Sequence, residues 1–474
     1  MSTNPHRITL GRIDYGATFR FTRLFDCFRM AIAPSRLMLA LMLIACLFIA
    51  GLLMNQLWGP RVLIDPNQPM FEFSRFVNQP TETFLGWRDD MIDNVQPERR
   101  QGIFTAVFET KLTLFEHLVR AAVNLRFGFD QLAPGTPPAT DTVLGTLRLL
   151  FMLPLWLWHA HTSFFVVYMM LFLLGWSLFG GAISRSAIVE ASGASTPGAT
   201  ESFVYAWHRW LWYILAPLLP LLIIAVLGGL LALGGVVFNV WVLDILGGLF
   251  FAIALAVGFI MALLLIGWIG GVHLMYPALS AEDSDAFDAM SRGYSYVLAR
   301  PWRLILYTFV SLIYGAVTYL FVGVFIFVTI YLTHWSIGLL VAGTFEDGAT
   351  YFNALFPTPQ FGDLTRYRPD YEHLNWSGSA AATLIMCWVF VLIGVVGAYA
   401  LNFYLCSYSV IYLLLRRYTD GTDPAEIADP DAPRSPADKI EPAPGHPAPA
   451  AATVSESAST TVTPPPAPDI PDEQ

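Results

Sequence analysis

Apolar positions fill six long stretches of the chain, roughly 37–58, 161–182, 211–235, 245–272, 304–332 and 381–414. No Asp, Glu, Lys or Arg falls in the apolar centre of any of them. A helix rises about 1.5 Å per residue, so about 20 apolar residues cross the hydrocarbon of a bilayer. With no water in that layer to satisfy backbone N–H and C=O groups, such spans must be helical. The pattern predicts an all-α fold, a polytopic helical membrane bundle of about six transmembrane helices. A further apolar piece, 143–160, carries Arg148, Pro154 and the histidines His159 and His161 at its end. It is expected to be an interfacial or re-entrant helix leading into the second span.

Between the spans the period changes. Over 102–125, Phe104, Phe108, Phe115, Leu118, Val119 and Ala122 recur at helical spacing, with Glu109, Lys111, Glu116 and Arg120 between them. That is an amphipathic helix. Two more are expected in the loops 183–210 and 273–303. In the first, Thr200 caps a helix with Phe203, Trp207 and Trp210 on one face. In the second, Ser284 or Asp285 caps a helix presenting Phe287, Met290, Tyr294 and Val297, and Pro301 stops it before the next span. Both loops begin with a glycine pair, Gly180-Gly181 and Gly270-Gly271, after a tryptophan, Trp176 and Trp268. A unit of span, amphipathic helix and span used twice in parallel is one reading. The other is that every such loop needs amphipathic anchors. Ser177–Gly181 and Gly267–Gly271 have the small-residue spacing that lets helices approach closely, within the bundle rather than between copies.

Arginine placement sets the expected orientation. Arg7, Arg12, Arg20, Arg23, Arg29 and Arg36 precede the first span, Arg185 and Arg209 lie in the 183–210 loop, Arg292, Arg300 and Arg303 in the next, and Arg416 and Arg417 after the last span. The 236–244 connection has none. Both termini are therefore expected in the cytosol of a multi-pass cell-membrane protein, with 59–142 and 333–380 as outer segments and 1–36 as a basic, amphipathic cytosolic arm. Crossing at 143–160 would put Arg292, Arg300, Arg303, Arg416 and Arg417 outside. The first span starts too deep for a cleavable signal and reads as a retained anchor.

Composition agrees: 55% of the 474 residues are apolar and 13% charged, far from a soluble average of about 25% charged. The net charge of −10 is mostly local, because 419–474 holds eleven acidic and two basic residues, with 13 of the 32 prolines and no aromatic. Such a segment has nothing to bury and is expected to be a disordered Pro/Ala-rich acidic tail. No basic patch points to nucleic acid.

The run Asp285-Ala286-Phe287-Asp288-Ala289-Met290-Ser291-Arg292, followed by Tyr294-Ser295-Tyr296 and Arg300-Pro301-Trp302, resembles an inner-loop pattern of uncharacterised bacterial polytopic inner-membrane proteins. The resemblance covers about 270–310 and implies a helical bundle in a bacterial inner membrane. It implies no activity, so no functional residue carries over.

Candidate chemistry is sparse. Glu282, Asp283, Asp285 and Asp288 place four carboxylates in seven residues, enough to hold a hard cation, although capping and the helix dipole also account for them. His159 and His161 are paired in sequence, but i and i+2 do not share a helix face. His273 lies alone near the end of the fourth span and is expected to be a satisfied polar group. Cys27, Cys46, Cys387 and Cys406 lack metal or disulfide spacing; Cys27 reads as a buried or interfacial thiol, with acylation as the alternative. No cofactor is expected. With no ionisable group central in a span, ion-coupled transport is disfavoured. The favoured expectation is a membrane scaffold or accessory protein without catalysis of its own, contacting the lipid bilayer and, through the acidic tail or the amphipathic helices, protein partners. A facilitator of an apolar or lipid-like substrate and a membrane-embedded lipid-modifying enzyme are the alternatives.

Overall fold

A computed structural model describes residues 20–65, 70–94, 99–128, 142–239, 243–341, 350–361 and 367–421. The expected acidic tail lies outside them from 422 onward, as do the first 19 residues of the arm. A short helix α1 (Asp26–Ala31) leads into α2 (Pro34–Trp58), and β1 (Pro60–Leu63), α3 (Phe71–Asn78), α4 (Thr81–Asn94), β2 (Arg100–Gly102) and α5 (Ile103–Val123) follow. Then come α6 (Val143–Ala160), α7 (Thr162–Ser192), α8 (Ala199–Gly235), α9 (Leu243–Leu249), α10 (Phe251–Glu282), α11 (Ala286–Ala299), α12 (Pro301–Gly338), α13 (Tyr351–Leu355) and α14 (Trp376–Thr419).

The protein is an all-α, multi-pass membrane bundle. Six of its long apolar helices, α2, α7, α8, α10, α12 and α14, coincide with the six apolar stretches. A seventh, α6, is also long and apolar enough to cross: its 18 residues rise about 27 Å. It packs against α3, α4, α5 and the start of α7. Among the described residues the strands form the antiparallel pair β1–β2, with Pro60 opposite Gly102; three- and four-residue strands carry no readable period, which is why the sequence pattern does not announce them.

Several helices outrun their apolar stretches. The amphipathic segment from Ala199 is continuous with its span in α8, and no side chain caps it: Gly198, not Thr200, holds the N-cap position. The equivalent segment α11 is separate from α12, because Arg300 is forced out of the helical region ahead of Pro301 (φ −140°, ψ 53°). Asp285 caps α11 as expected, its carboxylate accepting from the Asp288 N–H at 2.8 Å. α5 is amphipathic, but its buried face is rotated from the expected one. Phe104, Val107, Thr110 and Leu114 are buried, while Phe108, Phe115 and Val119 are exposed. The Phe104 ring fills the space over Gly51 of α2, where a Cβ would lie 2.2 Å from it, and the Phe104 N–H donates to Asn55 Oδ1 at 2.7 Å.

The buried residues of the long helices group at two ends. At the arginine-rich end, α1, the first turns of α2, the last turns of α7, α10 and α14, the early part of α8, α11 and the start of α12 share one core containing Cys27, Leu43, Ile183, Tyr213, Leu274, Tyr296 and Tyr412. At the opposite end, which α3–α6 and α13 cover and which is therefore the capped end, there are two separate clusters. One gathers Met54, Phe73, Phe84, Phe104, Leu153, Trp156 and Phe164 around α3–α6. The other joins Ile326, Ile330 and Val389 to Phe352, Phe356 and Tyr367. The far half of the α8–α10 hairpin belongs to neither: no residue of α8's most apolar 18-residue window is buried.

The glycine spacings act within the molecule. A Cβ on Gly271 would lie 3.2 Å from the backbone carbonyl carbon of Gly293 in α11, and backbone cannot yield as a flexible side chain does. Gly271→Val is expected to cost about 1–3 kcal/mol, read as a lower denaturation midpoint in detergent. Gly258, with open space around it, should accept alanine with no loss, since alanine is the better helix former by about 1 kcal/mol.

Candidate functional site

The arginine-rich end gathers the carboxylates that the sequence singles out, and each meets a partner. Asp283, in the left-handed region (φ 56°) just past the end of α10, lies 2.6 Å from Arg209 Nη2 of α8 and accepts from Tyr205 OH at 3.0 Å. Glu282 lies 2.7 Å from Arg416 Nε of α14 and 3.6 Å from Arg292 Nη1 of α11, and it accepts from Tyr412 OH at 3.2 Å. Asp288 accepts from Arg292 Nε at 2.9 Å, and Asp285 is occupied as the cap. Three guanidiniums from three helices thus face three of the four carboxylates, and the fourth, Asp285, holds a backbone N–H. A divalent cation would have to displace them. Among the described residues no three His, Cys, Asp or Glu side chains gather to hold a metal ion.

A further ion pair at this end, Arg36 with Glu190, is one that sequence reasoning missed. Arg36, at the start of α2, is 0% exposed. Its Nε donates to Met30 O at 2.8 Å and its Nη1 to Ser186 Oγ at 3.3 Å, and Nη2 pairs with Glu190 near the end of α7. Arg29 approaches the other Glu190 oxygen at 3.7 Å. In the sequence, Arg36 is one of many arginines that orientation already explains, and its partner lies 154 residues away. A cavity of about 210 Å³ opens beside the pair, lined by Arg23, Asp26, Arg29, Met30, Glu190 and Leu414 among others.

The two histidines of the 159–161 triplet are sent apart. His159 is exposed, and its Nδ1 lies 2.8 Å from the Leu155 carbonyl of its own helix. His161 is the residue between α6 and α7, and its ring is buried at the capped end beside Glu72 of α3 and Arg88 of α4. Glu72 Oε1 lies 3.4 Å from His161 Nε2 and 3.3 Å from Arg88 Nε, and Glu72 Oε2 accepts from the Leu63 N–H of β1 at 2.7 Å. Burial lowers the His161 pKa from its ordinary value against the opposing pull of Glu72. Glu72 and Arg88 sit 89 and 73 positions before it in the chain, so nothing local marks the cluster.

His273 of α10 has its Nδ1 2.5 Å from Tyr404 OH and its ring stacked on Tyr408 at 4.7 Å. This is the satisfied polar group the sequence suggests. Cys27 and Cys406 are buried, whereas Cys46 and Cys387 are exposed. Burial pushes the Cys27 thiol well above its usual pKa.

No family model, curated protein or solved structure matches the chain.

Proposed function

We propose that the protein is a multi-pass membrane scaffold or accessory component without catalysis of its own, set in a cell membrane with its arginine-rich end in the cytosol. The observation that carries this reading is the pairing at that end. Glu282, Asp283 and Asp288 each face a guanidinium, and Asp285 closes α11, so the charges stitch α8, α10, α11 and α14 together rather than face an open site. The arginine asymmetry supports the cytosolic orientation, because cytoplasmic loops of helical membrane proteins carry the Lys/Arg excess. The protein's contacts are the lipid bilayer and, through the acidic tail or the amphipathic helices, protein partners.

The test is the double substitution Asp285→Asn, Asp288→Asn. Asn caps a helix about as well as Asp, and loss of the i,i+4 pair costs at most about 0.5 kcal/mol. The purified variant should melt within a degree or two of the parent, and calorimetry with Mg²⁺, Ca²⁺ or Zn²⁺ should show no saturable binding by either. A divalent cation bound by the parent and lost by the folded variant would replace this reading with a metal-dependent one.

A further inference from the structure

Glu72, Arg88 and His161 form the most deeply buried charged group of the capped end, with side chains 0%, 11% and 2% exposed. Three of their polar atoms, Glu72 Oε1, Arg88 Nε and His161 Nε2, have no solvent contact and no hydrogen bond of good geometry, although they lie 3.3–3.4 Å apart as ion-pair distances. The cluster joins four elements. Glu72 belongs to α3, Arg88 to α4, and Leu63, whose N–H holds the second Glu72 oxygen, to β1. His161 is the corner between α6 and α7, with the Trp156 ring edge-on at 5.5 Å. We propose that this cluster is a pH-sensitive latch: with His161 neutral it holds α3 and α4 against the α6–α7 corner, and protonation of His161 releases them.

The charge balance gives the direction. With His161 neutral, the single carboxylate and the single guanidinium compensate each other. A proton on His161 puts a second cation beside Arg88, with Arg61 of β1 adding to the repulsion. Of the other charged groups near it, Asp89 lies on Arg88 at 3.7 Å, and the His159 ring is held on the Leu155 carbonyl. One carboxylate then faces two or three positive groups in a site closed to water, and opening hydrates the imidazolium.

The pH window follows. A buried histidine whose pKa lies below its ordinary 6.5 binds fewer protons closed than open. Closure is therefore favoured above pH 6.5, weakens as the pH falls below that value, and levels off once the closed form also titrates. At pH 5 the open fraction rises by at most roughly 30-fold, the limit set by an open-state pKa of about 6.5.

The full chain in lipid nanodiscs tests this by amide hydrogen exchange at pH 7.5 and 5.0, with rates corrected for intrinsic pH dependence. We expect 71–94 to open several-fold more at pH 5.0 while 398–415 stays unchanged, and His161→Gln, which cannot titrate, to erase the difference. An equal response of both regions, or the same response in His161→Gln, overturns the latch. Should His161→Gln not fold, the parent suffices. The midpoint of the change in 71–94 must fall between about 5 and 6.5, and a midpoint near 4, in the carboxylate range, would assign it to an acidic group and overturn the proposal.

Discussion

Glu190→Leu is expected to cost about 3–5 kcal/mol, the range for stripping one partner from a buried ion pair. The loss comes from what remains. Arg36 is 0% exposed and always charged. Without Glu190 it keeps only the Met30 carbonyl and the Ser186 hydroxyl, neither of which neutralises it. Glu190 is 18% exposed and already near Arg29, so the reverse change, Arg36→Met, should cost less, because water reaches the stranded carboxylate. Chemical unfolding in detergent micelles would show this order. Equal costs for the two single substitutions would mean that packing, not the stranded charge, sets the loss.

Trp156→Ala should cost a comparable amount, about 3–5 kcal/mol for a large aromatic removed from a core, but confined to one end. Trp156 is 1% exposed and packs edge-on to Phe73 at 5.8 Å inside the α3–α6 cluster, which is separate from the arginine-end core. Hydrogen exchange should show 71–94, 103–123 and 143–160 losing protection while 274–297 and 398–415 keep theirs. Uniform loss across the chain would show that the two clusters unfold as one. Trp156→Phe should cost much less, because the buried indole N–H has no partner and phenylalanine removes that unpaired donor.

The features legible in the sequence are those that a local pattern encodes. Uninterrupted apolar runs mark the spans, since a bilayer imposes length and apolarity on each helix separately. Pro301 marks the break between α11 and α12, and Asp285 marks the cap, both within one turn of the residue that reveals them. The parts that escape depend on distant partners. α5 turns Phe104 inward and Phe108 outward because Gly51 of α2 leaves room for one ring, a fact that the helical period of 102–125 does not contain. Helix ends escape as well: with no proline or glycine between Ala199 and the start of the apolar stretch at 211, an amphipathic segment and a span fuse into α8. The candidate site divides in the same way. The acidic run at 282–288 is visible as four letters, and so is the i,i+4 spacing of Asp288 and Arg292 within α11, but its engagement by Arg209 and Arg416 is a property of two other helices. Glu72 gives no sign in the sequence that it meets His161.

On the proposed reading the charges of the arginine-rich end are structural clamps, and the stability of Arg36→Met combined with Glu190→Leu tests this. Replacing both members of a buried ion pair by apolar side chains of similar volume is typically neutral or stabilising, and Met30 O keeps the Ala33 N–H at 3.4 Å as a donor. Adding Arg36→Met to Glu190→Leu is expected to restore most of the lost energy of about 3–5 kcal/mol, a coupling that residues in direct contact produce. A double variant as unstable as Glu190→Leu alone would contradict it.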